Sequence, residues 1–288
     1  MESLRQTELK IEQIRGLRDI VHSMRTLAST YLKRAEAQLE SVRLYSQTVS
    51  TAFSHALAAY GELELEAQHG PAAIALFSTE QGLCGRFNEI LFDALKRRIE
   101  ELGGARVIVV GHRGRGIAEA NGIELLGALP STSSPEGIAR TVRSAAEAVF
   151  DLYERGEFAR LYLLHAVHQA VGRFEERFER VLPLDVERFR AELPRGFVAF
   201  SYMGGRQLLG AFVEEFYFVE FHRALVETLA AENSMRLQSM EAAKGNIDET
   251  LEDLARLRRI LRQDQITEEL LDVISGAEAL KARSAQRA

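Results

Sequence analysis

Two glycine-rich loops contain the residues whose types and spacing could do chemistry. The first is EQGLCGRFN, residues 80–88, and the second is GHRGRG, residues 111–116. Glycines between a strand and a helix can let the backbone approach a phosphate group. Neither loop fits this use, because the first lacks the lysine and hydroxyl of a Walker loop and the second lacks the G-x-G-x-x-G order. We therefore interpret both as tight turns of the fold.

The other reactive side chains offer little more. His165 and His168 lie near the end of a predicted strand, with no cysteine or carboxylate cluster at metal-ligand spacing, so we interpret them as structural residues. Cys84 has no evident catalytic partner, and no serine nucleophile elbow is present. We predict no catalytic residue, no metal site and no cofactor in this chain. We also expect the chain not to be an enzyme by itself.

Composition places the chain among ordinary soluble proteins. It has 288 residues, of which 46% are hydrophobic and 27% charged, with a net charge of −6. The negative charge argues against general nucleic-acid binding, and a basic run near residues 256–262 is interpreted as solvated or partner-facing. A single cysteine favours a reducing compartment. No apolar run is long enough for a membrane span or a signal peptide, so we expect neither.

The central part of the chain alternates between strand and helix patterns. We predict strands at AAIALFST, ARVIVVG and ARLYLLHAV, a helix from Asn88 to about Leu102 with Asn88 as its cap, and a helix over 135–153. GHRGRG is predicted to be a loop, and 172–205 receives no assignment. Such alternation indicates a small Rossmann-like α/β domain with a mainly parallel sheet.

Both ends of the chain carry heptad patterns. One track of the first segment is Ile14, Val21, Ala28, Ala35, Val42, Val49 and Ala56, and its complementary track is Leu17, Met24, Tyr31, Tyr45 and Ala52. The second segment repeats Val219, Val226, Met240, Ile247, Leu254 and Leu261. These patterns predict an antiparallel two-helix coiled coil. The predicted division is an N-terminal helix at 1–60, a central α/β domain at 71–210 and a C-terminal helix at 211–288.

The two predicted helices differ in length. At about 1.5 Å per residue they measure roughly 80 and 100 Å, so the C-terminal helix should continue beyond its partner. Its last part, 266–280, still carries an apolar stripe that includes Ile266 and Leu270. An apolar stripe with no partner inside the chain predicts that another protein covers it.

Three stretches together carry a resemblance to a known family. They are IRGLRDIVHSMRTLAS near the start, STEQGLCGRFNEILF in the body and RRILRQDQITEELLDVISGAEAL at the end. The chain resembles the gamma subunits of F-type ATP synthases over nearly its whole length. GLCGRFN departs from the family's usual G-L-C-G-G-L-N, and this variant looks more like the divergent, sodium-associated bacterial branch.

The resemblance implies a rotor shaft that couples ion-driven rotation of a membrane ring to conformational changes at catalytic sites. The implied partners are the alpha and beta subunits of the catalytic ring, the epsilon subunit and the membrane c-type rotor ring. The implied location is peripheral, on the cytoplasmic face of the bacterial cell membrane. Two other classes stay open from the residues alone, namely a helical-hairpin scaffold that dimerises and a nucleotide-binding enzyme.

The resemblance also implies specific partner contacts. Met24 and Arg25 match a methionine–basic pair of the first helix that lies near a moving segment of a beta subunit, with arginine in place of the usual lysine. Arg262, Gln263 and Thr267 match polar residues that contact a beta-subunit loop, and Glu269 lies close by. The alternative is that these side chains are ordinary exposed helix polarity.

Overall fold

The computed structural model describes residues 3–60, 70–186, 189 and 202–285, with side chains up to 276. Two long helices, α1 (Leu4–Tyr60) and α5 (Gly205–Ala285), enclose the α/β part in sequence. Helix α5 begins six residues before the position that the heptad pattern gave. The chain forms two compact units: one joins Met1–Arg25 with Met240–Ala288, and the other is Thr26–Ser239. Most of the span 172–205 beyond Val186 lies outside the described residues.

A five-stranded sheet forms the centre of the larger unit. Its strands are β1 (Ala72–Phe77), β2 (Arg106–Val110), β3 (Leu125–Leu129), β4 (Arg160–Ala170) and β5 (Arg173–Leu182). The order across the sheet is β3-β2-β1-β4-β5, and only β4 and β5 pair antiparallel. The predicted α/β architecture with a mainly parallel sheet is confirmed.

Strand β1 is buried on both faces of this sheet. Ala73, Ala75 and Phe77 belong to one hydrophobic cluster, whereas Ile74 and Leu76 belong to another. The first cluster also contains buried residues of α1, α5 and the helix Ile138–Glu154, and the second contains residues of the helices Phe87–Glu101 and His112–Ala120 and of α5. A central parallel strand that is covered on both faces needs apolar side chains on both of them. The sequence AAIALF is therefore continuously apolar and does not alternate.

The shorter helices of this unit are α2 (Phe87–Glu101), α3 (His112–Ala120) and α4 (Ile138–Glu154), the last preceded by a turn of 3₁₀ helix at Pro135–Gly137. The prediction that Asn88 caps α2 is wrong, because Arg86 occupies the cap position. Asn88 instead donates from Nδ2 to Thr79 Oγ1 at 2.8 Å and accepts from the Thr79 backbone N–H at 3.2 Å. Its amide therefore ties α2 to the end of β1.

The prediction that GHRGRG is a loop is also wrong, since α3 begins within it at His112. Two glycines in a short segment lower helix propensity, which hid the helix. Gly114 lies so close to Ser78 that a Cβ atom there would be 2.1 Å from Ser78 Oγ. Tertiary packing therefore explains this glycine better than a turn does.

Gly114→Ala is expected to lower the free energy of unfolding by about 1–3 kcal/mol, because the added methyl must displace Ser78 or Val109. Gly116→Ala is the matched control on the same helix. A Cβ atom at Gly116 meets nothing within 4 Å, so this change should stabilise the protein by about 0.5–1 kcal/mol. Urea denaturation of both variants measures the difference, and equal effects would contradict the packing argument.

The heptad track of α1 from Val21 to Ala56 is confirmed, because each of its members from Val21 onward is buried. The complementary track is wrong at Leu17 and Tyr45, whose exposed fractions are 45% and 47%. Leu32 and Phe53 are buried instead and belong to the main cluster of the larger unit. In this part α1 contacts the α/β core as well as a second helix, so its buried face is displaced from a two-helix seam.

The smaller unit has its own apolar cluster. Val21 lies with Met240 and Ile247, and Met24 is packed against them. Ile14 and Leu251 also pack against this cluster. Lower numbers on α1 therefore meet higher numbers on α5, which is the predicted antiparallel arrangement.

Candidate partner-contact site

The last part of α5 has no partner among the described residues. Leu254 is buried and Leu261 is half-buried, whereas every side chain from 262 to 276 is exposed. The apolar members and their exposed fractions are Ile266 51%, Leu270 58%, Leu271 58%, Val273 69% and Ile274 54%. An apolar helix face of this kind is typical of a surface that another protein covers.

The polar residues of the same segment form only local hydrogen bonds. Thr267 Oγ1 donates to the Gln263 carbonyl at 2.9 Å, and Glu269 Oε1 accepts from Gln265 Nε2 at 2.9 Å. The side chains of Arg262 and Gln263 are exposed. Their charges and amides are thus presented to solvent, and the predicted contact with a partner subunit stays a prediction.

Met24 and Arg25 occupy a different environment. Arg25 Nη1 donates to Glu241 Oε2 at 2.6 Å, and this hydrogen bond is the main reason why the pKa of Glu241 lies below its usual range. Met24 is half-buried against Val21 and its neighbours. The structure therefore gives this pair contacts inside its own chain, and it does not bring the pair together with residues 262–270.

The family model described as ATP synthase matches residues 3–280. The chain belongs to the ATP synthase family. Among curated members of this family, the ATP synthase gamma chain of Sulfurovum sp. (strain NBC37-1) is 27% identical over 300 residues, covering 98% of this chain and 100% of that protein. The ATP synthase gamma chain of Lawsonia intracellularis (strain PHE/MN1-00) is 27% identical over 299 residues with the same coverage.

Solved structures of ATP synthases share the fold. A cryo-EM structure of Euglena gracilis mitochondrial ATP synthase, containing OSCP, F1 and the c-ring in rotational state 3, includes a similar chain with a TM-score of 0.67 and 15% identity. The match covers 97% of this chain and 95% of that one. The central stalk and c-ring structure of the Tetrahymena thermophila enzyme gives a TM-score of 0.57 and 16% identity, covering 78% and 99%.

Sequence reasoning missed a buried ion pair on α5 of this ATP synthase family member. Arg236 is 5% exposed and pairs with the carboxylate of Glu232, which is 2% exposed. Arg236 also donates to the carbonyls of Gly82 at 3.2 Å and Gln81 at 3.4 Å, and to Asn233 Oδ1 at 3.1 Å. The sequence signal is four polar residues among apolar ones on a helix, namely Glu232, Asn233, Ser234 and Arg236.

Burial dominates the electrostatics of this ion pair. It raises the pKa of Glu232 to about 7, although the charge and hydrogen bonds of Arg236 oppose the shift. Burial likewise raises the pKa of the Cys84 thiol, and the nearby Glu232 carboxylate adds to that effect. A thiol held in its protonated form is a poor nucleophile, which agrees with a structural role for Cys84.

Helix α5 also contacts the ends of two central strands. Ser234 Oγ donates to the carbonyl of Ala170, the last residue of β4, at 3.0 Å and accepts from the Gly172 N–H at 2.9 Å. The Gly82 carbonyl bound by Arg236 belongs to the loop that follows β1. The carboxyl ends of β1 and β4 are thus both bonded to one turn of α5.

A second charged cluster links α5 to the antiparallel edge of the sheet. His165 lies in the middle of β4 and is fully buried, and its Nε2 is 2.7 Å from Glu227 Oε2. Arg177 Nη1 lies 3.1 Å from both Glu227 oxygens, and Arg223 Nη1 lies 3.3 Å from one of them. Burial would raise the pKa of Glu227, but the His165 hydrogen bond and the two arginines hold it below its ordinary value. His165 therefore has a structural carboxylate partner.

Of the two loops that could suggest a nucleotide site, the one that begins α3 already has backbone donors bonded. At the start of α3, the His112 N–H donates to Glu80 Oε2 at 3.0 Å and the Arg113 N–H donates to the Thr79 carbonyl at 3.1 Å. A phosphate at a helix N-terminus needs such donors to be free. This geometry disfavours phosphate binding at the loop.

Two kinds of feature are absent from the described part of the chain. Within it, no group of three or more His, Cys, Asp or Glu side chains is arranged to hold a metal ion. Across the same residues, no helix combines the length and apolar character that crossing a bilayer requires.

Proposed function

We propose that this chain is the gamma subunit, the central rotor shaft, of an F-type ATP synthase. Family membership over residues 3–280 and the matches to gamma chains support this role. The observation that carries it is the uncovered apolar segment of α5, whose Ile266 and Leu270 side chains are more than half exposed. A shaft held in a bearing made by other subunits explains why those side chains lack a partner in their own chain.

The partners of such a shaft are the alpha and beta subunits of the catalytic ring, the membrane c-type rotor ring and the epsilon subunit. The solved relatives with F1 and c-ring support the first two in general. The chain then belongs to a membrane-associated complex and lies on the cytoplasmic face of the bacterial membrane. Arg25, which forms an ion pair with Glu241, and the exposed polar residues from Arg262 to Glu269 contribute to contacts with the catalytic ring.

The shaft acts because the energy of its contacts with the catalytic subunits differs between their conformations. A rotating, asymmetric surface contacts the catalytic subunits differently at each angle, and so stabilises different conformations of the three sites in turn. Because α5 presents apolar and polar residues on different sides between 262 and 274, its contacts change with rotation. Catalysis itself belongs to the ring.

Replacing both Ile266 and Leu270 with aspartate is expected to weaken capture of the chain by the alpha and beta subunits about a hundredfold or more. Full burial of one such side chain contributes about 1.5–3 kcal/mol, and a charge in its place must also be desolvated. Co-purification after co-expression with alpha and beta subunits, at graded concentrations, measures the change.

The matched control is Gln265→Asp with Ser275→Asp, which adds the same charge at exposed polar positions of the segment. Equal losses from both double variants would mean that the added charge alone weakens capture. That result would contradict the proposal that partner subunits cover the apolar side chains of this segment. A stable homodimer with no affinity for alpha and beta subunits would support the helical-hairpin scaffold instead.

A further inference from the structure

A groove of about 840 Å³ runs between α4 and α5 in the unit Thr26–Ser239. On α4 its lining residues recur at helical spacing from Arg143 to Glu154, and on α5 from Ala211 to Phe218. These are single faces of two helices, because residues three and four apart lie side by side. The groove is therefore a continuous channel about three turns long, roughly 16 Å at 1.5 Å per residue.

The floor of the groove is apolar. Phe150 and Phe218 are half-buried there, and Ala146 and Ala211 also line it. Phe150 is held in place by Tyr217, with ring centroids 5.5 Å apart. A fixed apolar floor of this kind offers surface that a partner can remove from water.

The rim of the groove is acidic. Its carboxylates are Glu147, Asp151 and Glu154 on α4 and Glu214 and Glu215 on α5, against the one cation Arg143. Tyr45 donates to Glu215 at 2.7 Å, whereas Glu147, Asp151, Glu154 and Glu214 form no salt bridge among the described residues. Like charges four residues apart on a helix repel each other. A cationic partner would relieve this repulsion.

We propose that this groove binds a cationic amphipathic helix of a partner protein. The apolar side of such a helix would cover Phe150 and Phe218, and its lysines or arginines would reach the carboxylates on both rims. The acidic rim repels anionic lipid and nucleic acid, so the charge favours a protein segment. The surface goes beyond the proposed rotor role, because nothing in it depends on the catalytic ring.

The test uses the full chain and a synthetic peptide of lysine and leucine, about 18 residues long, with all leucines on one helical face. A peptide of the same composition without an apolar face serves as the probe control. The amphipathic peptide should bind more tightly, and its affinity should fall as salt is added. Carbodiimide coupling joins a lysine amine directly to a carboxylate, and it should attach the peptide at Glu147, Asp151 or Glu214.

The groove variant combines Glu147→Gln, Asp151→Asn and Glu214→Gln, and it should weaken peptide binding at least about tenfold. The matched control combines Asp93→Asn, Glu100→Gln and Glu124→Gln, which remove three exposed carboxylates elsewhere on the body. All six side chains are exposed and outside the hydrophobic clusters, and circular dichroism verifies that both variants fold.

Three results would overturn the proposal: no binding of the amphipathic peptide, equal weakening by both triple variants, or coupling mainly outside the groove. The second would mean that net charge alone attracts the peptide. Since the measurement needs neither alpha nor beta subunits, its failure leaves the rotor proposal intact. Conversely, failure of ring capture leaves this result unaffected.

Discussion

Arg236→Ala is expected to lower the free energy of unfolding by about 3–5 kcal/mol at pH 8. The change leaves the Glu232 carboxylate in the interior without its cation, and it also strips the Gln81 and Gly82 carbonyls of a donor. Arg256→Ala, at an exposed position of the same helix, is the control and should change stability by no more than about 0.5 kcal/mol. Denaturant unfolding followed by circular dichroism measures both.

The pH dependence of Arg236→Ala sharpens this test. Glu232 has a folded-state pKa of about 7, above the ordinary value of 4.5, so the folded protein binds this proton more tightly than the unfolded chain. The resulting stability is fully present below about pH 4.5 and is lost as the pH rises through 7. Without Arg236 the carboxylate is still more reluctant to ionise, so the variant should lose less stability at pH 5 than at pH 8. A loss that is equal at both pH values would argue against a buried, uncompensated Glu232.

Glu227→Ala is expected to lower the free energy of unfolding by about 3 kcal/mol, because it leaves the buried His165 without its carboxylate partner and removes one of three carboxylates that pair with Arg223. Glu241→Ala breaks the exposed ion pair with Arg25 and is the control, with an expected loss of about 0.2–1 kcal/mol. Thermal unfolding of the two variants beside the parent chain compares them. Losses of similar size would show that burial does not set the value of these ion pairs.

Glu227 and Glu232 are predicted to respond to pH in opposite directions. The pKa of Glu227 is lowered, so its stabilisation is present above the ordinary pKa and is lost as the pH falls through the lowered one. The stabilisation that comes from Glu232 is lost as the pH rises. Both residues lie on one helix, five positions apart, and the difference follows from Glu227 having two arginines and a histidine around it, whereas Glu232 has one arginine.

Much of the architecture follows from hydrophobic pattern alone. The apolar run at β1, the heptad track from Val21 to Ala56 and the unpartnered face at Ile266 and Leu270 were all predictable, because each reflects burial or its absence along one element. Strand β5 was not, since its sequence RFEERFERVL is charged and lies at the sheet edge, where its charged residues pair with side chains of α2 and α5. Helix α3 was hidden by its two glycines, of which Gly114 is required by close packing on Ser78 and Val109.

Tertiary partners account for the other differences. A heptad pattern gives the spacing of buried positions but not which flank of the seam is covered, so Leu17 and Tyr45 were expected inside and are exposed. The hydrogen bond from Arg236 to Gly82 and the ion pair of Glu227 with Arg177 join residues at least 50 positions apart, which no local pattern reveals. The candidate contacts at Arg262 and Thr267 came from family resemblance, and they stay a prediction.

The turn of α5 that bonds to the ends of β1 and β4 lies where a Rossmann-like domain usually binds a ligand. In open α/β sheets, coenzymes usually bind in the crevice at the carboxyl ends of the strands, where the strand order reverses. Here the side chains of Ser234 and Arg236 form hydrogen bonds at that position. The edge of the sheet at which such folds usually bind a coenzyme therefore fastens the long helix α5 to the α/β domain.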